Sequence, residues 1–107
     1  MSTAPGQMKS TEEGDFISMF YAGPRKILRG SFSQPVPQLS AEVAHLEYDA
    51  FDDLSGSCDL VESAWIGPTE VNLPFKNSED GIVTIKGTLM SPLDRRYSVS
   101  GHGEWLD

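Results

Sequence analysis

Two histidines in this chain each stand two residues ahead of a glutamate, in His45-Leu46-Glu47 and His102-Gly103-Glu104. On a β-strand, residues two apart share a face, so each unit presents an imidazole and a carboxylate side by side. Two such units on neighbouring strands would offer two nitrogens and two oxygens, a donor set that suits zinc, iron or manganese. His45, Glu47, His102 and Glu104 are therefore candidate ligands of a divalent transition metal, and the same groups suit acid–base chemistry near neutral pH.

A second candidate runs from Phe51 to Glu62. Read as a calcium loop, it has Asp53, Ser55, Gly56, Asp59 and Glu62 at positions 3, 5, 6, 9 and 12. Position 1 is Phe51, where a carboxylate is required, so an acidic connecting turn is the simpler reading. Ser98 and Ser100 lie close to His102, but a Ser–His–Asp triad is defined by geometry rather than by adjacency. Cys58 is the one cysteine, and the neighbouring Asp59 works against thiolate formation; a structural thiol fits better than a nucleophile. The chain has no phosphate-binding glycine loop, no His-Glu-x-x-His and no Gly-x-Ser-x-Gly.

Charge supplies the stronger signal. Sixteen acidic and eight basic residues leave a net charge of −8 over 107 residues. Residues 30–75, a run of 46, contain no Lys or Arg but hold Glu42, Glu47, Asp49, Asp52, Asp53, Asp59, Glu62 and Glu70. The flanks cancel, so the whole net charge belongs to this block. Such a balance argues against direct binding of nucleic acid or of an anionic membrane, both of which need Lys and Arg against phosphate.

The favoured reading is a non-enzymatic acidic binding protein of the inhibitor, immunity or adaptor type. It would present those eight carboxylates to a basic protein, such as a nuclease or other nucleic-acid-binding protein whose groove they fill in place of phosphates. Tyr48, Phe51 and Trp65 are its candidate aromatic anchors, and it needs no cofactor. The first alternative is a small metal-binding protein or metal-dependent enzyme built on the two His-x-Glu units. The second is a structural subunit of a larger assembly of viral or phage type. A single cysteine forms no internal disulfide, and no apolar run approaches the roughly 20 residues of a membrane span. A cytoplasmic location is the expectation.

The elements that must position these groups read as β-rich. Residues 1–14 have little to bury and read as a disordered leader, followed by a single globular domain over 15–107. Residues 15–22 and 25–32 flank Gly23-Pro24 as a hairpin. Pro35 and Pro37 then break regular structure. Residues 42–51 fit two periods. Ala44, Leu46, Tyr48 and Ala50 alternate as in a strand, whereas Val43, Leu46, Ala50 and Leu54 fit a helix capped by Ser40 and ended by Gly56. The spacing favours the helix, over about residues 41–54, by a narrow margin. Residues 70–75 read as an edge strand because of Pro74, and residues 81–90 and 95–105 complete an antiparallel meander with them. The expected fold is a small antiparallel sandwich or barrel, or an α+β variant carrying that one helix.

Overall fold

Phe16, Ser18 and Phe20 are buried while Asp15, Ile17 and Tyr21 are exposed, the period-two alternation of a sheet with one packed face. That alternation recurs along the chain, and the computed structural model, which describes residues 2–106, curls it into a closed barrel. The strands are β1 (Ser2–Ser10), β2 (Asp15–Tyr21), β3 (Arg25–Phe32), β4 (Ser40–Tyr48) and β5 (Ser57–Leu60). They continue with β6 (Trp65–Ile66), β7 (Glu70–Asn77), β8 (Ile82–Thr88), β9 (Tyr97–Ser98) and β10 (Gly101–Leu106). A single 3-10 turn, Phe51–Asp53, follows β4. Around the barrel the order is β5-β10-β3-β2-β1-β4-β8-β7, and β7 pairs back onto β5 to close it. All these pairings are antiparallel. The short strands β6 and β9 hang from β7 as a flap.

The barrel is filled rather than hollow. Phe20, Leu28, Leu46, Leu73, Phe75 and Ile85 have no exposed surface. Phe16 packs its ring 5.1 Å from Phe32 and 5.9 Å from Phe75, within the range of favourable tilted aromatic pairs. Long connections stopper the two ends with apolar residues. Val36 and Leu39 come from the β3–β4 crossover, Leu89 and Val99 from the β8–β10 crossover, and Leu54 from the β4–β5 crossover at the other end. The two buried serines are satisfied: Ser18 Oγ donates to the Leu28 carbonyl (3.2 Å), and Ser10 Oγ accepts from Leu39 N (3.0 Å).

Opposite Gly103 stands Gly30, and both face this aromatic interior. A Cβ on Gly30 would meet the His102 carbonyl and lie 2.7 Å from Phe16 Cζ. Gly30→Ala should therefore act as an overpacking mutation, destabilising by about 1–3 kcal/mol. Urea unfolding monitored by Trp fluorescence measures this; an unchanged midpoint would show that the β3–β10 wall yields freely.

Several expectations need correction. The leader is not a leader over its described part: Ser2–Ser10 is a central strand, with five register pairs to β2 and seven to β4. Its inward residues, Ala4, Met8 and Ser10, are buried although mostly small or polar. The helix over 41–54 does not form. Residues 40–48 are strand β4, because β1 and β8 flank it on both sides and use its backbone groups.

The C-terminal meander is only a hairpin. β7 and β8 pair as expected, but the chain then crosses the barrel end, and β10 inserts between β3 and β5. Nor is β7 an edge strand, since β8 lies on one side and β5 and β6 on the other. Pro74 is tolerated because its missing donor falls in the gap between β5 and β6. There its carbonyl accepts from Val61 N, and the Val61 carbonyl turns to Ala64 N instead.

Candidate functional site

The two His-x-Glu units occupy β4 and β10, which stand diametrically opposite in the eight-strand order. Both point outward, so the barrel's full width and its packed core separate them. The four-ligand metal site over His45, Glu47, His102 and Glu104 is thereby ruled out as one centre. Among the described residues, no group of three His, Cys, Asp or Glu side chains is arranged to hold a metal ion. Each histidine has a local partner instead. His45 Nε2 lies 3.3 Å from Glu47 Oε2, and the same carboxylate takes Lys86 Nζ at 3.3 Å through Oε1. His102 Nδ1 lies 2.8 Å from Asp59 Oδ1, across the β10–β5 pairing.

That second pair has a neighbour of interest. Ser31 on β3 stands directly opposite His102, so Ser31, His102 and Asp59 occupy one outward row across three strands. The residue order is that of a nucleophilic triad, reached through Ser31 rather than Ser98 or Ser100. The row lies on the convex outer wall, and a strand there turns no paired backbone N–H groups toward a reacting atom.

The calcium reading also fails on geometry. The Phe51–Glu62 run is cut by β5, whose extended backbone carries Asp59 to His102 and leaves Glu62 in the loop beyond. Cys58 faces the interior, where its thiol donates to the Gly103 carbonyl (3.7 Å). Burial, aided by the Asp59 charge, pushes the thiol up to about 12 from an ordinary 9.0. Between these values the unfolded chain loses the proton and the folded chain keeps it. Stability should therefore be complete below about pH 9 and fall as pH rises toward 12. Comparing urea midpoints of the native chain and Cys58→Val from about pH 8 to 10.5 isolates this effect. The subtraction is needed because Tyr97, donating to Asp94 (2.7 Å), is also held above its ordinary range by that hydrogen bond. Parallel pH profiles would contradict the assignment.

The acidic block does not gather on one side. β4, β5 and β7 lie at different positions around the barrel and spread it out. Glu42 and Glu47 are on the outer wall of β4, and Asp59 is on that of β5. Glu62 and Glu70 lie at the end where β5 stops and β7 starts. Asp49, Asp52 and Asp53 fall at the opposite end, on the β4–β5 crossover. The eight-residue face is thus reduced to these three, and two further acids join them.

The added acids are Glu79 and Asp80, on the β7–β8 turn at that same end. Asn77 organises the meeting. Its side-chain oxygen accepts from Glu79 N and Gly81 N, both at 2.9 Å, while its Nδ2 donates to Asp53 Oδ1 at 3.2 Å. Gly81 permits the approach, because a Cβ there would lie 2.5 Å from Asp53 Oδ1. Asp80 adopts φ +67, the left-handed conformation an Asp-Gly turn uses, and pairs with Lys76 (3.2 Å). Ser55 Oγ caps the Asp52 carbonyl at 2.8 Å. Glu79 and Asp80 lie outside the cation-free block of residues 30–75.

Of the three aromatic anchors, Phe51 projects from this end at 44% exposure, with Lys26 Nζ 5.2 Å above its ring. Tyr48 is half-buried as the last residue of β4. Trp65 belongs to the flap, and Arg96 covers its ring at 4.2 Å. No helix is long and apolar enough to cross a membrane among the described residues. The sequence matches no protein-family profile, and no curated protein or solved structure is significantly similar to it.

Proposed function

We propose that this barrel is a non-enzymatic binding protein, of the inhibitor, immunity or adaptor kind, whose acidic end engages a basic protein. One observation carries the reading: the Asn77–Asp53 hydrogen bond locks two loops together, so that Asp49, Asp52, Asp53, Glu79 and Asp80 share one end of a rigid scaffold. Carboxylates gathered at one end of the barrel repel one another, and a cationic partner relieves that repulsion while being steered by the field. Phe51, exposed among them, supplies the kind of aromatic anchor on which interface affinity concentrates. The partner is thus a protein with a Lys/Arg-rich patch, and a nuclease or nucleic-acid-binding protein has such a patch by necessity.

The test is affinity capture from the native host at low and at high salt. A basic protein should be retained at low salt and released at high salt, and retained by Glu62→Lys, at the opposite end, but not by an Asp49→Lys, Asp52→Lys, Asp80→Lys triple variant. Equal capture by both variants would remove the acidic end from the interaction.

A further inference from the structure

We propose that the outer wall made by β1, β2, β3 and β10 is the interface of a two-fold symmetric dimer of this chain. The register places Met19 beside Ile27 and Ile27 beside Leu106, with Ile17 one step further along β2. These side chains form an apolar strip on the outside of a barrel whose interior is already filled. Ile17 and Leu106 are exposed, and Tyr21 at the strip's end is 55% exposed. The strip opens into a shallow groove between β2 and β4, edged by Gln7, Lys9 and Glu42. A contiguous apolar surface with a polar rim marks an interaction site on a water-soluble fold.

Charge complementarity singles out a second copy as the occupant. The wall holds both signs, with Lys9, Arg25 and Arg29 on β1 and β3 and Asp15 and Glu104 on β2 and β10. A two-fold axis parallel to the strands, running between β2 and β3, sets β2 against β3 of the second copy and β1 against its β10. In the observed register, Met19 then meets Ile27 of the second copy, and Tyr21 meets its Arg25 as a cation–π pair. Ile17 packs on the aliphatic stem of Arg29 of the second copy. At the rim, Lys9 faces Glu104 of the second copy, and Asp15 faces its Ser31. No like charges face one another in this arrangement. A uniformly acidic or basic partner would meet both signs and lose this match.

Sedimentation equilibrium on the full chain tests the proposal. The native chain should be a dimer dissociating in the micromolar range, and more tightly held at high salt, where screening weakens the repulsion between two chains of charge −8. Met19→Asp should yield monomers, and Lys9→Glu should weaken association at least about tenfold. The double variant Lys9→Glu with Glu104→Lys should restore it, because the two positions face each other across the two-fold. Val43→Asp, on the outer wall of β4, should leave the dimer intact, with circular dichroism confirming the fold of each variant. A native chain that stays monomeric up to millimolar concentration would overturn the proposal. So would a dimer indifferent to Met19→Asp, growth beyond two copies, or failure of the charge swap to restore association.

Discussion

A chain lacking residues 1–10 should not fold cooperatively. β1 supplies five register pairs to β2 and seven to β4, so its removal opens the barrel along its full length. Each ladder hydrogen bond is worth only about 1 kcal/mol net, but a cut wall loses many at once, against a typical total stability of about 5–15 kcal/mol. The loss of the buried Ala4 and Met8 also opens the core, and the bared edges of β2 and β4 invite pairing with other chains. The shortened chain should show no sharp thermal transition and should aggregate, as seen by calorimetry and light scattering. Adding a synthetic peptide of residues 1–14 should restore part of the transition. A shortened chain that melts like the native one would mean that β1 is dispensable.

Reversing the acidic end should nearly abolish capture of the partner while leaving the barrel intact. Asp49→Lys, Asp52→Lys and Asp80→Lys together change the charge by +6, from −8 to −2, and all of that change falls on one end. Like charges brought together at an interface cost several kcal/mol, so affinity should fall by at least about 100-fold, or about 2.7 kcal/mol. Asp53 is deliberately spared, since it holds Asn77 and its loss would loosen the two loops rather than report on charge. All three substituted side chains are exposed, which keeps the expected stability change within about 0.5 kcal/mol for Asp49 and Asp52, while Asp80→Lys, at a left-handed turn position beside Lys76, costs about 1 kcal/mol. Glu62→Lys changes charge at the opposite end of the barrel and serves as the control, as calorimetric titration of the captured protein would show. Loss of binding in both variants would indicate that only bulk charge matters.

The two effects differ in how legible their causes were. The large alternating side chains of residues 15–22 and 25–32 marked a hairpin, and β2 and β3 are that hairpin. Residues 70–75 and 81–90 marked another, realised in β7 and β8. β1 escaped notice because its inward positions are Ala4, Gly6, Met8 and Ser10, too small and too polar to show a hydrophobic period. They suit their places because Phe16 and Phe20 on the neighbouring strand fill the volume. Residues 42–51 carried two periods at once, and no local rule chose between them. β1 and β8 chose, because each needed a partner for its backbone.

The sequence by itself determined a β-rich fold, the sites of its tight turns and a charge concentrated in one stretch of chain. Those properties are local: side-chain alternation, Gly and Pro punctuation, and the count of carboxylates. Tertiary structure alone decided that the sheet closes, that His45 and His102 stand on opposite walls, and that the eight acids of the cation-free block scatter to several places. Closure joins β5 to β7 and inserts β10 between β3 and β5, pairings between residues far apart in sequence. Such pairings depend on which strand edges remain open once the hairpins have formed, and no short window of sequence contains that information. The same closure brought Glu79 and Asp80 to Asp53 and made an acidic end that the linear charge pattern did not contain.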